Sequence, residues 1–183
     1  IDSSDGLHVS YRYDTGNKLR YAYKASGSSS WSKTDVDGTG GKYTSIAVDS
    51  NDIPHIAYRD GSSGDLGYAE KTGGSWTWNN IVTGGDVGWT SIAIDSNDDI
   101  HIAFYETTGD DLYYVTDTSG SWVSTWREDI SYAGGMALDI AISPITDEPG
   151  ISYFDGGSDD LKYMVYSGSS WTTTTVVSSG SVG

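Results

Sequence analysis

Three histidines each follow an aspartate by six residues: Asp2 and His8, Asp49 and His55, and Asp95 and His101. An imidazole beside a carboxylate can transfer protons or contribute to a metal site. A fourth copy of the pattern carries Ser143 and Gly150 instead, and this joint replacement indicates that the two side chains touch. Because a catalytic pair is normally unique whereas this one recurs, we interpret the pairs as structural hydrogen bonds across a hairpin. We therefore predict no catalytic residue and no metal ligand among them.

Two acidic segments, residues 49–52 and 95–99, resemble part of a calcium-binding loop. They lack the 12-residue spacing and the terminal glutamate of an EF-hand. Asn and Asp are also the residues that tight turns favour. We interpret both segments as turns and predict no cofactor, with weak calcium binding as the alternative.

Ligand-binding candidates are the positions where the copies differ. They comprise aromatic, arginine and acidic residues: Tyr43, Trp89, Tyr105, Arg12, Arg59, Asp60, Glu106 and Asp155. Aromatic faces stack on the C–H faces of sugars, and charged groups bind their hydroxyls, so this set is typical of a carbohydrate site. Outward-facing strand residues are the alternative interpretation. Four regularly spaced tryptophans could also stack on sugars, but their regularity favours packing between repeats: Trp31, Trp76, Trp122 and Trp171.

These residues belong to four tandem copies of a repeat about 46 residues long. The segment at 45–52, SIAVDSND, returns at 91–98 as SIAIDSND, and a leucine recurs with the same period as the tryptophans: Leu19, Leu66, Leu112 and Leu161. Within a copy, apolar residues alternate with polar ones, and Gly, Ser, Asn and Asp clusters separate the runs, which predicts four short antiparallel strands.

Sheets with two half-apolar faces must stack to bury them. The sequence therefore predicts an all-β fold of β-propeller blades, each with four antiparallel strands. We expect a single propeller region over residues 1–183. Its blades span about 1–44 (incomplete at its start), 45–90, 91–137 and 138–183. Residues 1 and 2 match positions 48 and 49, and residues 182 and 183 match positions 87 and 88. Part of a first strand is thus missing, and we expect further blades or a second copy of the chain to complete the ring. The alternative is a self-closed four-blade propeller that lacks most of one innermost strand.

Composition excludes several classes of protein. The formal net charge of −16 repels phosphate, which argues against nucleic acid and anionic membrane surfaces. The absence of cysteine excludes disulfides and thiolate metal sites. No apolar stretch approaches the roughly 20 residues that a membrane-spanning helix needs, so we predict no membrane insertion.

The motifs His-Ile-Ala-Tyr at 55–58, Asp-Leu-x-Tyr at 65–68 and Gly-Ser-Trp at 74–76 resemble the BNR-like repeats of secreted bacterial and archaeal propellers. The full sialidase Asp-box and the sialidase arginine triad are not found in the sequence. The segment at 5–11 with Leu19, Arg20 and Tyr21 is also similar to propeller-type polysaccharide lyases. Blades of similar spacing occur in fucose-binding propeller lectins.

The resemblance implies an extracellular or cell-surface protein. We expect a binding or adhesion module that is lectin-like and whose partner is a carbohydrate or surface glycan. The alternatives are a polysaccharide lyase or glycosidase, and a structural surface-array domain without a small ligand. We favour a binding protein over an enzyme because the histidines are repeated rather than unique.

Overall fold

A computed structural model of the protein describes residues 1–130 and 137–178, which form strands and turns without a helix. The strands of this part of the chain are β1 (Leu7–Tyr13), β2 (Lys18–Lys24), β3 (Ser32–Asp37), β4 (Lys42–Val48), β5 (Pro54–Arg59), β6 (Leu66–Thr72), β7 (Ser75–Val82), β8 (Val87–Ile94), β9 (Ile100–Glu106), β10 (Asp111–Thr116), β11 (Val123–Asp129), β12 (Leu138–Ile142), β13 (Pro149–Asp155), β14 (Asp160–Tyr166) and β15 (Trp171–Val177).

The strands form four antiparallel meanders in chain order. The first sheet contains β1–β3, and the second, third and fourth contain β4–β7, β8–β11 and β12–β15. The prediction of an all-β fold built from repeated antiparallel sheets is confirmed. In the first sheet β1 occupies the place of the second strand of the other sheets. The predicted seam involves residues 182 and 183, which lie outside the described residues. Among the described residues there is no helix with the length and apolarity that crossing a membrane demands.

Asp side chains shape the turn that precedes the second strand in the first three repeats. In the second sheet, Oδ1 of Asp49 accepts hydrogen bonds from the backbone N–H groups of Asn51 (2.9 Å) and Ile53 (2.7 Å). Asp52 lies in the left-handed region at φ 62°, which Asp tolerates better than most residues. The acidic segments therefore serve as turns.

The chain divides into two compact units, residues 1–85 with the first and second sheets and residues 86–183 with the third and fourth. In each unit the later sheet packs on the earlier one through equivalent positions. The face of the earlier sheet that carries Tyr21 or Tyr114 is called the tyrosine face. The face of the later sheet that carries Ile56 or Ile151 is called the isoleucine face.

Each of these interfaces contains the same polar contact. In the first unit the Tyr58 hydroxyl donates to Oδ2 of Asp37 at 2.9 Å, and in the second the Tyr153 hydroxyl donates to Oε2 of Glu128. Burial, together with the neighbouring carboxylate, raises the pKa of both tyrosines. A protonated tyrosine thus ties each later sheet to the end of the earlier sheet's last strand.

Candidate functional site

Each of the three histidines lies between an aspartate and a tyrosine. Nε2 of His8 is 3.1 Å from Oδ2 of Asp2, and the Tyr21 hydroxyl is 2.8 Å from its Nδ1. The other two histidines lie 3.5 and 3.4 Å from their aspartates and 2.6 and 2.5 Å from their tyrosines, Tyr68 and Tyr114. The hydrogen bond with His8, helped by the Gly6 N–H, lowers the pKa of Asp2 to about 2.

The fourth sheet shows why the two replacements occur together. There the hydroxyl of Ser143 accepts from the N–H groups of Ile145 (3.3 Å) and Thr146 (3.2 Å) and so keeps the turn. At the histidine position, a Cβ on Gly150 would lie 2.2 Å from the hydroxyl oxygen of Tyr163. The tyrosine of this copy therefore occupies space that an imidazole would need.

A cavity of about 470 Å³ lies between the third and fourth sheets and is called here the Arg127 cavity. The third sheet contributes Asp95, His101, Tyr114 and Arg127, and the fourth contributes Glu148, Tyr166 and Trp171. The volume falls within the roughly 300–1,000 Å³ typical of small-molecule sites. One of the Asp–His–Tyr sets therefore forms part of the wall of a ligand-sized cavity.

Arg127 occupies a β-bulge that every sheet contains. The register between β10 and β11 shifts at Leu112 and Tyr113, which leaves Arg127 as the extra residue of β11. The equivalent shifts in the other sheets leave Val36, Ile81 and Val176 as the extra residues. In the first unit Val36 belongs to the apolar core between the sheets, so arginine replaces an apolar residue at this position.

The surroundings of Arg127 leave most of its donors unused. Its Nε is 3.4 Å from the carbonyl oxygen of Thr125, and its guanidinium carbon lies 5.7 Å from the centre of the Trp171 ring. No carboxylate among the described residues forms an ion pair with it. Burial lowers the pKa of Arg127, while nearby Tyr114 acts in the opposite direction. Arginine nevertheless stays charged at neutral pH.

The aromatic rings of the cavity wall contact one another. The Trp171 ring packs edge-on against Tyr114 (centroids 5.0 Å apart) and contacts Tyr166 at 5.6 Å. Burial raises the pKa of Tyr114 to about 12, so its hydroxyl is protonated at neutral pH. The cavity thus combines a cation, three aromatic rings, of which Trp171 contacts the other two, and carboxylates that include Glu148.

The first unit has a smaller counterpart, about 230 Å³, lined by Asp2, His8, Tyr21, Tyr23 and Lys71 among others. Lys71 stands at the position of Tyr166, and its ammonium lies 5.4 Å from the Tyr21 ring centre. The two cavities therefore occupy equivalent places, but this one lacks an arginine.

The ligand residues predicted from sequence lie elsewhere. Tyr43 and Trp89 are exposed at equivalent bulges of β4 and β8. Arg12 pairs with Asp14 at 3.2 Å, and Nη1 of Arg59 lies 3.4 Å from the carbonyl oxygen of Asp60. None of them lines the Arg127 cavity or its smaller counterpart in the first unit. Their role in ligand binding stays a prediction.

The predicted acids hold the turn after the second strand of a repeat. Asp60 accepts from the N–H groups of Ser62 and Ser63, Glu106 from those of Thr108 and Gly109, and Asp155 from that of Gly157. Tyr105 is buried, and its hydroxyl donates to Asp110. The three acids therefore stabilise their turns, and Tyr105 stabilises the packing around it.

No cluster of three or more His, Asp or Glu side chains suited to a metal ion occurs in residues 1–130 and 137–178. The oxygens of Asp49 and Asp95 that face their turns already accept backbone hydrogen bonds. Weak calcium binding at these turns stays a prediction.

No protein-family model matches the sequence, and neither does any curated protein. Solved structures do resemble it. A triple arginine-to-alanine mutant of AofleA from Arthrobotrys oligospora gives a TM-score of 0.73 at 16% identity, covering 98% of this chain and 56% of that one. A mutant of the Aleuria aurantia lectin AAL in complex with Fucalpha1-6GlcNAc gives 0.71 at 13% identity, covering 99% and 63%.

A fucose lectin from Kordia zhangzhouensis, in complex with methyl-fucoside, gives a TM-score of 0.50 at 16% identity, covering 74% of this chain and 99% of that one. The chain thus spans less than two thirds of the AofleA and AAL chains. At these identities the similarity shows the fold, and the predicted β-propeller fold is confirmed.

Proposed function

We propose that the protein is a carbohydrate-binding, lectin-like module and that the Arg127 cavity holds the sugar. The observation that supports this most directly is the unpaired guanidinium of Arg127, which stands where the other sheets carry Val or Ile. A half-buried charge without an acidic partner costs stability. A ligand that accepts its hydrogen bonds would offset that cost.

The cavity offers the groups that a pyranose ring needs. Trp171 and Tyr166 provide aromatic surface for the C–H face of the ring. The Arg127 donors and the Glu148 carboxylate can bind neighbouring hydroxyls, since charge-assisted hydrogen bonds are about twice as strong as neutral ones. Because the two residues come from different sheets, ligand binding also requires that the third and fourth sheets stay packed.

Similarity to solved lectins gives independent support. Two of the similar structures contain a fucoside or a fucosylated sugar, and both share the propeller fold at low identity. We further propose that the repeats are of the BNR-like type and that the module acts outside the cell, where surface glycans are presented. Fractionation of the source organism's culture tests this placement, and a wholly cytoplasmic protein contradicts it.

The variant Arg127→Met tests the site. It keeps the aliphatic stem and removes every donor, so we expect the affinity for a sugar found on a glycan array to fall about tenfold or more. Calorimetry with the purified protein measures the change. Arg12→Met is the matched control, because Arg12 lies at the exposed end of β1, outside the Arg127 cavity, and pairs with Asp14. Equal affinities of wild type and Arg127→Met, or a loss confined to Arg12→Met, contradict the site. The absence of binding to any glycan contradicts the function.

A further inference from the structure

The contacts of Asp95 determine where neutral His101 carries its hydrogen. Oδ1 of Asp95 accepts from the backbone N–H groups of Asn97 and Asp99, both at 2.9 Å. Its Oδ2 lies 3.4 Å from Nε2 of His101, and Nε2 has no closer hydrogen-bond partner among the described residues. Because an ionised carboxylate only accepts hydrogen bonds, the single hydrogen of the neutral imidazole belongs on Nε2.

This assignment gives a direction to two hydroxyl groups. The Tyr114 hydroxyl lies 2.5 Å from Nδ1 of His101, which only accepts in this tautomer, so Tyr114 donates to it. The tyrosine oxygen in turn accepts from the Thr116 hydroxyl; burial raises the pKa of Tyr114, and this hydrogen bond acts against it. The hydrogen bonds therefore run from Thr116 through Tyr114 and His101 to Asp95.

Thr116 is the end of this chain that presents its hydroxyl to a ligand, because it lines the Arg127 cavity. Its hydrogen is used by Tyr114, and its oxygen accepts from the backbone N–H of Thr118 at 3.3 Å. A hydroxyl oxygen has two lone pairs, so one remains. While His101 is neutral, Thr116 thus offers the cavity an acceptor and no donor.

Protonation of His101 reverses the chain. An imidazolium carries a hydrogen on each nitrogen, so Nδ1 donates to the Tyr114 oxygen and the tyrosine hydrogen turns to Thr116. The Thr116 oxygen then accepts from Tyr114 and Thr118, and its own hydrogen is free to point into the cavity. The same hydroxyl changes from an acceptor into a donor.

The Arg127 cavity needs acceptors more than donors. Arg127 supplies donors only, and each sugar hydroxyl that accepts from it keeps a hydrogen to donate. Among the carboxylates of the wall, Asp147 already accepts from the N–H and hydroxyl groups of Ser96, at 3.0 and 2.5 Å. An acceptor on Thr116 therefore adds to the one that Glu148 provides.

We propose that Thr116 accepts a hydrogen bond from a sugar hydroxyl and that His101 is a positioning residue, which keeps Thr116 in the accepting direction. The inference rests on the proposed function, because it assigns roles within the same site. Sugar binding then favours neutral His101, so the affinity falls as pH decreases through the range of about 5–8 in which histidine gains its proton.

Other titratable groups also face His101 from the third and fourth sheets: Asp95, Asp99, Arg127, Asp147, Glu148 and Tyr166. Carboxylates and arginine ordinarily keep their charge above about pH 5.5. Burial and then Asp95 raise the pKa of Asp99, so a variant of His101 itself is needed to assign the pH dependence.

Two measurements on the purified chain test the inference. Nitrogen-15 NMR of the imidazole at about pH 8, assigned with His101→Gln, should place the hydrogen on Nε2. A hydrogen on Nδ1 overturns the inference, whatever the protein binds. Titration calorimetry with methyl fucoside, the sugar in a similar structure, should show affinity falling about three- to tenfold from about pH 8 to about pH 5.5, the effect of one net hydrogen bond.

Variants identify the groups responsible. His101→Gln gains no proton, and its amide oxygen can still accept from Tyr114, so its affinity should be equal at both pH values. Thr116→Val has a similar shape without the hydroxyl, and it should bind about three- to tenfold more weakly at about pH 8, with no pH dependence. His55→Gln is the matched control, because His55 lies 2.6 Å from the Tyr68 hydroxyl but outside the Arg127 cavity.

The outcomes separate the inference from the proposed function. Wild-type affinity for methyl fucoside that is equal at both pH values overturns the inference and leaves the proposed function standing. So does a pH dependence that persists in His101→Gln or that His55→Gln abolishes. If methyl fucoside binds at neither pH, the proposed function is contradicted for this sugar, and the hydrogen position measured by NMR decides the inference. Circular dichroism verifies that each variant is folded.

Discussion

Lys162 forms ion pairs with two carboxylates of the second unit, Glu128 on the third sheet and Asp155 on the fourth. Replacing it tests whether these ion pairs stabilise the packing of the two sheets that form the Arg127 cavity. Its ammonium lies 2.6 Å from Oε1 of Glu128 and 2.6 Å from Oδ2 of Asp155. The side chains of Lys162 and Asp155 are only 16% and 8% exposed. The variant Lys162→Met keeps an aliphatic chain of similar length and removes the charge, which leaves two neighbouring carboxylates without their cation.

The expected loss follows from burial. Two unit charges 4 Å apart attract by about 4 kcal/mol at the effective dielectric constant of about 20 near a protein surface, and desolvation offsets part of this. Removing one partner of a buried pair costs about 3–5 kcal/mol, because the other partner stays desolvated. Since Lys162 is slightly exposed and water can reach the site, we expect Lys162→Met to lower the free energy of unfolding by about 2–4 kcal/mol.

The loss should depend on pH in a defined way. Burial alone would raise the pKa of Asp155, but the hydrogen bond from Lys162 and other donors outweigh it, so the pKa is lowered. Its contribution is therefore present above the unfolded pKa of about 3.9 and is lost as pH falls through the folded value. Burial alone would lower the pKa of Lys162, but its carboxylate partners raise it. That contribution is lost as pH rises through the folded pKa, above about 10.4.

Urea unfolding followed by tryptophan fluorescence measures the change between about pH 3 and 8, a window chosen to cross the carboxylate pKa range. Lys18→Met is the control, because Lys18 forms an ion pair with Asp35 at 2.5 Å, but the side chains are 38% and 44% exposed. A surface pair contributes about 0–1 kcal/mol. A loss for Lys162→Met no larger than that of the control, or one that stays constant down to the lowest pH, refutes the reasoning.

Two further predictions concern the packing within the sheets. Gly67→Ala should cost about 1–3 kcal/mol in urea unfolding, because its Cβ would lie 2.5 Å from the fully buried Tyr58 ring. Gly150→Ala should lower the free energy of unfolding by less, because the nearest atom there is the hydroxyl of the exposed Tyr163, which can move. Equal losses for the two variants contradict this explanation. The pair Asp49→Asn and His55→Gln should show a coupling energy of about 0.5–3 kcal/mol in a double-mutant cycle. If the two losses in the free energy of unfolding are additive, the side chains do not interact, and Asp49 only stabilises its turn.

The architecture could be predicted from sequence because each of the four copies carries the same pattern of strands and turns. The alternation of apolar residues gives the strands, and the turn clusters give their ends. The same pattern returns in the four copies, so an error in one copy is corrected by the others. The joint replacement at Ser143 and Gly150 likewise indicated contact between Asp and His, and their atoms lie 3.1–3.5 Å apart in the three intact copies. The tyrosine on the other side of each imidazole was missed. The signal was present, because each tyrosine follows its histidine by 13 residues.

The cavity was harder to predict, because it depends on which residue occupies a bulge and on how two sheets meet. Arg127 follows its marker tryptophan, Trp122, by five residues, and in the first copy Val36 follows Trp31 by the same distance. Comparison at this offset finds Val, Ile and Val in the other copies, so the arginine could have been identified. Its neighbours could not, because Glu148 and Trp171 approach it only when the fourth sheet packs on the third. The spacing of residues within one repeat cannot predict a contact between two sheets.

Differences between copies are informative only when the fold does not already explain them. Asp60, Glu106 and Asp155 differ in type or spacing, yet each accepts hydrogen bonds from its turn, so variation among them needs no ligand. Arg127 is different, because its position is apolar in the other three copies and buried in the first unit. A charge placed there without an ion-pair partner makes the interface weaker than a valine would. That cost is understandable if selection acts on what the guanidinium binds, and proteins commonly give up stability at functional sites in this way. Arg127→Val should therefore raise the free energy of unfolding while abolishing sugar binding. A variant that loses both stability and binding would indicate instead that the arginine holds the two sheets together.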